Sequence, residues 1–519
     1  MTDIQSMANA IRFLALDSIL NAREGHQGVP LGMAEIAATL YARHLKVDPK
    51  NPLWPDRDRV VLSNGHGSML LYSLLHLAGY AHITTDALKS FRKLESVCAG
   101  HPEIEQEAGI ELTTGLLGQG IACSVGMAVA EARLAAQFGA DLVDHRTWVF
   151  VGDGCLQEGV GQEAISLAGH LRLGKLTFLW DDNHITDDGD TGLSISEDVP
   201  ARFRAAHWQV EEVDGHDIEA ISAAMDAANA DPRPTLIACR TVIARGIPRL
   251  QGQRGGHSAP LTEADAREAR ALLDWHHAPF ELPDNVRHDW AASMSRGSQE
   301  HAAWQSRLNG HPFAVAFNQW TQSELPNDWN ATVQAITAHQ AAITDPRPTI
   351  QSSGEICDAL SQTLPDTIVL CADLEAPTNH KRSRTAFTAS EPVRKLCSLR
   401  RARTPDGGNV RRDRRARRIA ARECHLPCLR RLREARDAHG RSHGSSRPIC
   451  IQSRQHRRRQ QRADTPTRRD SRQFPRHAEH KSVPPSRRRR NRRSLGTRDG
   501  GHRRPEFACI VPTAGHAGA

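Results

Sequence analysis

The sequence lacks any run of 18 apolar residues, and its opening MTDIQSMANA has neither a basic segment nor an apolar core. These absences predict a protein without a membrane partner and without a secretory signal, and we expect a cytoplasmic location. No CxxC pair occurs in the first 392 residues, so we expect reduced core thiols rather than disulfides or zinc ligands. The cysteines concerned are Cys98, Cys123, Cys155, Cys239, Cys357 and Cys371.

Acidic residues and lysine are scarce in the last 127 residues. Residues 393–519 contain 37 basic and 10 acidic residues, a net charge of +27, and only Lys395 and Lys481 among the basic ones are lysine. Residues 1–392 contain 30 basic and 50 acidic residues, a net charge of −20. A segment so poor in Leu, Ile, Val and Phe cannot bury enough apolar surface to offset chain entropy. We therefore expect residues 393–519 to be a disordered arginine-rich tail rather than a domain.

Continuous apolar segments at 147–151 and 176–180, separated by a helical pattern at 157–171, are typical of a parallel sheet covered on both faces. The sequence predicts an α/β fold with a doubly wound parallel sheet in residues 1–300. A linker and the start of a second α/β domain are expected at 301–392. Further elements are predicted as helices at 9–21, 33–44, 69–77, 121–138 and 352–364, and as strands at 59–63, 208–213, 235–239 and 367–370.

Polar side chains follow the two central strands. Asp153 ends the first in a Gly-Asp-Gly turn, and Asn183 ends the second in Asp-Asp-Asn. Strands joined by one right-handed crossover are close neighbours, so both oxygens can converge on one cation such as Mg²⁺ or Ca²⁺. Gly154 would let a diphosphate approach the backbone at a helix N-terminus. Gly-Asp-Gly alone also fits an ordinary turn, but the two motifs at this spacing are more specific.

Four histidines lie in glycine-containing loops: His26 in EGHQG, His66 in NGHGS, His101 in AGHPE and His257 in GGHSA. A single histidine in a loop is commonly just solvated. Four of them beside a diphosphate site indicate a pocket that handles protons, because imidazole donates or accepts near neutral pH.

Seven segments carry a resemblance to a known family: EGHQGVPLGMAEI, DRVVLSNGHGSMLLYSLLHLAGY, AGHPE, TTGLLGQGIACSVGMAVAE, GDGCLQEG, DDNHI and GGHSAPL. Together they closely resemble the thiamine-diphosphate enzymes of the transketolase family over about residues 7–392. The resemblance implies a homodimer that binds thiamine diphosphate between the diphosphate-binding domain of one subunit and the pyrimidine-binding domain of the other. It also implies transfer of a ketol unit between sugar phosphates, in the pentose phosphate pathway or the Calvin cycle.

The resemblance also implies roles for particular residues. Asp153, Asn183 and the backbone oxygen of Ile185 would hold the metal, with Mg²⁺ expected and Ca²⁺ or Mn²⁺ left open. The residues implied to hold the cofactor are His66, Gly115, Leu116, Leu117, Gly154, Asn183 and His257. His26, His101 and His257 would be catalytic, His26 and His257 would also contact the sugar, and Thr378 would meet the substrate phosphate.

Two departures from the family occur in this part of the chain. Leu116 replaces a proline, which matters little where only the backbone binds. Ile350 and Gln351 stand where the family has a phosphate-binding arginine, which puts the affinity for phosphosugars in question.

Nothing after Pro392 resembles the family, and the genetic code suggests why. Suitable codons for Ser398–Pro405, read one base later, give His-Tyr-Gly-Val-Arg-Glu-His, the stretch that carries the family's catalytic glutamate. The same offset turns 451–457 into Phe-Ser-His-Asp-Ser-Ile-Gly, 462–467 into Gly-Pro-Thr-His-Pro, and 507–515 into Ser-Leu-Ala-Ser-Ser-Arg-Gln-Gln. Four matches in the family's order indicate a one-base frameshift between about residues 392 and 398. A chain with the sequence printed here would then lack the catalytic glutamate and be inactive.

The sequence leaves two other classes of function as alternatives. A deoxyxylulose-phosphate synthase and a 2-oxoacid dehydrogenase subunit use the same cofactor, but GGHSAPL and AGHPE favour ketose transfer. A basic tail that binds nucleic acid is compatible with the charge of residues 393–519. That segment lacks stacking aromatics and patterned basic faces, so we expect no nucleic-acid partner.

Overall fold

Five strands form a parallel sheet in the computed structural model of the protein. The structure describes residues 3–322, 325–364, 367–371, 387–392, 396–398 and 509–511. The sheet order is β1-β2-β3-β7-β6, and every neighbouring pair is parallel. A two-stranded hairpin, β4 with β5, follows β3. The strands are β1 Arg59–Leu62, β2 Thr147–Gly152, β3 Leu176–Asp182, β4 Ile185–Thr186, β5 Gly189–Asp190, β6 Gln209–Asp214 and β7 Thr235–Arg240.

The strands β2, β3 and β7 are buried on both faces, as their continuous apolar residues predict. Along β2, Trp148 and Phe150 enter one hydrophobic cluster, whereas Val149 and Val151 enter a second cluster on the other face. This alternation follows from the two-residue period of a strand. The doubly wound α/β fold expected from the sequence is confirmed.

Helices cover the two faces. The first cluster contains residues of α1 Ile4–Ala22, α3 Ala34–Thr39, α4 Ser68–Ala78, α10 Ile218–Ala230, α11 Glu263–Leu272 and the first half of α12 Asp284–Asn309. The second contains residues of α6 Gln119–Phe138, α8 Gly159–His170 and α9 Val199–Ala205. The short helices are α2 Gly28–Gly32, α5 Thr85–Lys89 and α7 Asp153–Gln157.

Helix α6 is the one helix in the described part of the chain that is long and apolar enough to cross a membrane. Half of its most apolar stretch is buried inside the fold, and its Ile121, Val125 and Val129 belong to the second hydrophobic cluster. Core helices commonly have this composition.

The predicted elements are found with small shifts in their bounds. Helix α1 begins at Ile4 rather than residue 9, because Asp3 caps it by accepting from the backbone N–H of Ser6. The helix predicted at 157–171 is found as α8, which ends at His170. A separate short helix, α7, precedes it, because Glu158 between the two adopts an extended backbone with ψ of 136°. The described cysteines before residue 371 are buried and form no disulfide with one another, as expected.

The described residues beyond 310 add helices and a small second sheet. The helices are α13 Ala314–Thr321, α14 Trp329–Ala341 and α15 Thr349–Thr363, and the strands are β8 Ile368–Cys371, β9 Leu396–Ser398 and β10 Cys509–Val511, in the order β10-β8-β9. Helix α12 runs through residue 300, so the predicted domain boundary stays a prediction. Thr378 and the tail expected to be disordered, apart from β9 and β10, lie outside the described residues.

Candidate cofactor and metal site

The two polar motifs lie side by side at the carboxyl edge of the sheet. Strands β2 and β3 are direct neighbours, with Gly152 opposite Asp181. Asp153 follows the first strand as the first residue of α7, and Asn183 follows the second. The neighbouring strands predicted from the crossover connection are therefore found in the fold.

Asp153 is held by one oxygen and free at the other. Its Oδ1 accepts a hydrogen bond of 3.1 Å from the indole nitrogen of Trp180. Its Oδ2 is buried and has no hydrogen-bond partner among the described residues. Burial, together with the charges of Asp181 and Asp182, raises the pKa of Asp153 to about 7. A dication at Oδ2 would remove this electrostatic cost, so the carboxylate fits a metal ligand.

Asn183 is oriented by its neighbours in the chain. Its Nδ2 donates to Asp181 Oδ2 at 2.9 Å, and its Oδ1 accepts from the backbone N–H of Ile185 at 2.8 Å. Asp181 is itself held by the hydroxyl of Thr241. The amide oxygen and the Ile185 backbone therefore lie in one turn, which places two of the three predicted ligands together.

No group of three or more His, Cys, Asp or Glu side chains within the described ranges is arranged to hold a metal. The predicted set differs in kind, because it combines one carboxylate, one amide oxygen and one backbone carbonyl. Hard oxygen donors of this type suit Mg²⁺ or Ca²⁺, which keep further positions for water or phosphate oxygens.

Three of the four predicted histidines form a cluster. The ring centroids of His26, His66 and His257 lie 4.9 to 5.4 Å apart. Burial, followed by the charge of His257 in each case, lowers the pKa of His66 to about 3 and that of His26 to about 4. Burial also lowers the pKa of His257. The cluster is therefore neutral at pH 7.

His101 borders the same cluster. It acts electrostatically on both His26 and His66, and burial followed by the charge of Arg92 lowers its own pKa. A Cβ built on Gly115 would lie 3.7 Å from the His101 ring. The predicted cofactor-binding loop and the fourth histidine are therefore in contact.

Glycines let the loops approach each other closely. A Cβ on Gly28, two residues after His26, would lie 2.8 Å from the Ile243 side chain and 3.1 Å from the carbonyl of Gly256, next to His257. A Cβ on Gly154 would lie 2.8 Å from Leu117 Cδ1. Thus Leu117 packs on the start of α7, whereas Leu116 is 64% exposed.

Several residues that support the site were not predicted from the sequence. Gln27 donates to the carbonyls of Gly255 and Ala259 at 3.3 and 3.0 Å, which ties the His26 loop to the His257 loop. Arg254 donates to the carbonyl of Asp187 at 2.7 Å, which ties the His257 loop to the hairpin that begins at Ile185. In the sequence, the one indication that Gln27 supports the site is its position next to His26.

An open cleft of about 1070 Å³ extends from Asp153 along the sheet edge. Its walls include Asp153, Trp180, His184, His216 and Arg240. The carboxyl edge of a doubly wound sheet is where such folds bind ligands. The sheet edge therefore carries a buried carboxylate oxygen suited to a cation and the start of α7, and the bond from Arg254 to Asp187 links it to the neutral imidazole cluster.

The sequence profile described as "Transketolase, thiamine diphosphate binding domain" matches residues 4–325. A transketolase of Cereibacter sphaeroides is 49% identical over 371 residues, which cover 71% of this chain and 56% of that protein. Transketolase 2 of Vibrio parahaemolyticus is 47% identical over 386 residues, or 73% of this chain and 58% of that protein. The chain spans less than two thirds of the length of these curated relatives.

Solved structures show the same likeness. A transketolase from Leishmania mexicana superposes with a TM-score of 0.72 at 37% identity, covering 77% of this chain and 61% of that one. A transketolase from Campylobacter jejuni gives a TM-score of 0.70 at 36% identity, covering 76% and 61%. Fold and site together define a thiamine-diphosphate-binding domain. The chain belongs to the transketolase family.

Proposed function

We propose that this chain is the diphosphate-binding part of a transketolase, which moves a two-carbon ketol unit from a ketose phosphate to an aldose phosphate. One observation supports the proposal most directly: the three-histidine cluster lies next to the loop that contains Asn183 and Ile185. The hydrogen bond from Arg254 to the carbonyl of Asp187 joins the two. A sugar bound next to a metal-held diphosphate would meet those imidazoles.

The metal would bind to Asp153, Asn183 and the carbonyl of Ile185, and the unpartnered Oδ2 of Asp153 supports this set. Mg²⁺ is the expected ion, with Ca²⁺ and Mn²⁺ as alternatives. Gly154, His66 and the backbone of Gly115 to Leu117 would hold the diphosphate, with His257 and Asn183 beside them. Thiamine diphosphate, when bound, supplies the electron sink for ketol transfer.

The histidines would orient the sugar and move protons. A neutral imidazole has one N–H donor and one acceptor nitrogen, so His26, His101 and His257 can each either donate to or accept from a sugar hydroxyl at pH 7. Thr378 would bind the substrate phosphate.

The substrates are proposed from the family. Solved transketolase structures of Pichia stipitis are described as complexes with sedoheptulose 7-phosphate and with xylulose 5-phosphate. We propose these ketose phosphates as donors and ribose 5-phosphate or glyceraldehyde 3-phosphate as acceptors. The pentose phosphate pathway and the Calvin cycle both use this reaction.

We also propose a homodimer. Leu116 and Val160 are 64% and 43% exposed near the site, and a Cβ on Gly118 would lie 3.1 Å from Val160. Exposed apolar side chains beside a binding site are suited to burial by a second subunit.

The second domain of the family would be encoded in another frame after about residue 392. The matches to 71% and 73% of this chain, against 56% and 58% of the relatives, support this proposal. The written chain would then lack the catalytic glutamate and have no activity. Resequencing the bases that encode residues 392–398 tests the frameshift, and full transketolase activity of the 519-residue product would overturn it.

An in-frame gene product tests the reaction. It is expected to convert xylulose 5-phosphate and ribose 5-phosphate to sedoheptulose 7-phosphate and glyceraldehyde 3-phosphate. Release of CO₂ from pyruvate, without ketol transfer between sugars, would favour a deoxyxylulose-phosphate synthase or a 2-oxoacid dehydrogenase instead.

A further inference from the structure

Asn64, at the end of β1, is a buried amide without a hydrogen bond. Its side chain is 1% exposed, and neither Oδ1 nor Nδ2 has a hydrogen-bond partner among the described residues. Buried polar groups in folded proteins are nearly always paired, because an unpaired one has lost its hydration without a replacement. An amide in this state next to a binding site indicates a missing partner.

The fold places this amide beside the metal-binding motif. Ser63 donates its backbone N–H to the carbonyl of Phe150 at 2.9 Å, so β1 and β2 end side by side. A Cβ built on Gly152 would lie 3.6 Å from Asn64 Nδ2. Since Asp153 is the next residue, the Asn64 amide packs on the backbone that delivers the proposed metal ligand.

A second unpartnered polar group lies on the other side of the same turn. Thr114 is 4% exposed, and its Oγ1 is buried with no hydrogen-bond partner in the part of the chain described. A Cβ on Gly65 would lie 2.6 Å from this oxygen. Gly65 thus lets the turn that carries His66 rest on Thr114, immediately before Gly115.

We propose that Asn64 and Thr114 belong to the diphosphate site, with their side chains reserved for the bound ligand. The inference rests on the proposed function. When the diphosphate binds, the Asn64 amide and the Thr114 hydroxyl donate to its oxygens, directly or through a water bound between them. Both groups are neutral donors, so they pair with the anion without adding charge beside Asp153.

This arrangement predicts opposite effects on stability and on binding. Polar groups that have no hydrogen-bond partner in the free protein lower its stability. If the ligand supplies that partner, the same groups raise the affinity for the ligand. Asn64→Leu, which keeps the size of the side chain and removes its polar atoms, should therefore raise the melting temperature of the ligand-free protein. The same change should weaken diphosphate binding about tenfold or more.

Thr114→Val gives an independent test, and Thr177→Val is the matched control. Thr177 Oγ1 is also buried and unpartnered among the described residues, but Thr177 is the second residue of β3, at the amino end of the strand. Its substitution should raise the melting temperature without changing binding.

The experiment uses the 519-residue chain, with Mg²⁺ and inorganic pyrophosphate as the probe, in calorimetric titrations and in thermal melts without ligand. Weaker binding by Asn64→Leu and by Thr114→Val, together with a raised melting temperature, is the expected result. Equal binding by Asn64→Leu and the unmodified protein overturns this inference alone. A lowered melting temperature assigns Asn64 a structural role and overturns it too. If the unmodified protein fails to bind magnesium pyrophosphate, the diphosphate site is wrong and this inference falls with it.

Discussion

Trp180 Nε1 donates a hydrogen bond of 3.1 Å to Oδ1 of Asp153, which links the end of β3 to the residue that follows β2. The indole engages one carboxylate oxygen, and the other is buried and unpartnered among the described residues. The bond fixes the rotation of the carboxylate, so the second oxygen is held in one orientation, as the proposed metal site requires.

Trp180→Phe should keep the buried ring and lose this bond. The Asp153 carboxylate would then rotate more freely, and we expect the Mg²⁺ concentration needed for half-maximal diphosphate binding to rise roughly three- to tenfold. The measurement is a Mg²⁺ titration at fixed pyrophosphate. Trp208→Phe is the control, because its indole donates to the carbonyl of Ile165 instead. Equal Mg²⁺ dependence in the two variants would argue against the orienting role.

His66→Gln should make the protein less sensitive to acid. The pKa of His66 is about 3 in the folded protein, against about 6.5 in an unfolded chain. Between these values the unfolded state binds more protons, so the free energy of unfolding falls as the pH falls from 6.5 toward 3. His26, His101 and His257 face His66 and have lowered pKa values as well.

The check is urea unfolding of both proteins at pH 7 and pH 5. The loss of unfolding free energy between these two pH values should be smaller for His66→Gln than for the unmodified protein. The same loss in both would mean that His66 is protonated as readily in the folded as in the unfolded state.

A buried ion pair anchors the loop that follows β7. Arg12 and Glu35 form a salt bridge at 1% and 0% exposure, and Glu35 also accepts from Nδ1 of His216 at 3.2 Å. The Nε2 of His216 in turn accepts from the backbone N–H of Val242 at 3.1 Å. These partners lower the pKa of Glu35 to about 2 despite the opposing effect of burial, which is the largest single contribution.

Glu35→Gln should destabilise the protein by about 3–5 kcal/mol, because it leaves a buried guanidinium without its counter-charge. The double variant Arg12→Met with Glu35→Gln should recover part of that loss. Urea unfolding of the two single variants and the double variant forms the cycle. Strictly additive losses would show that Arg12 and Glu35 do not depend on each other.

His184 has a φ of 59° between the proposed ligands Asn183 and Ile185, in the left-handed region that favours glycine. His184→Val should therefore destabilise the protein by about 1–2 kcal/mol relative to His184→Gly, because a β-branched residue tolerates this conformation poorly. Thermal unfolding of the two variants measures the difference. A more stable valine variant would contradict the backbone conformation at this turn.

The sequence was most informative where local pattern determines structure. The continuous apolar runs of β2 and β3 predict a sheet buried on both faces, and the turns after them place Asp153 and Asn183 at one edge. The short helix α7 was not predicted, because the extended backbone of Glu158 that separates it from α8 has no counterpart in the periodicity of the sequence.

The local sequence pattern does not predict contacts between segments that are distant in the chain. The bond from Trp180 to Asp153, the packing of Gly28 on Ile243, and the Gln27 bridge to Gly255 all depend on tertiary packing of loops. Four histidines could be nominated from their glycine loops. Their separations, and hence the depressed pKa values of the cluster, required the folded chain.

The central claim is that the edge of β2 and β3 binds thiamine diphosphate through a metal held by Asp153. Calorimetric titration of the unmodified chain and of Asp153→Ala, each with thiamine diphosphate in the presence of Mg²⁺, tests it most directly. We predict saturable binding by the unmodified chain and none by Asp153→Ala, since the diphosphate would then lack the cation that offsets its charge. Equal affinity of the two proteins, or no binding by the unmodified chain, would contradict the account.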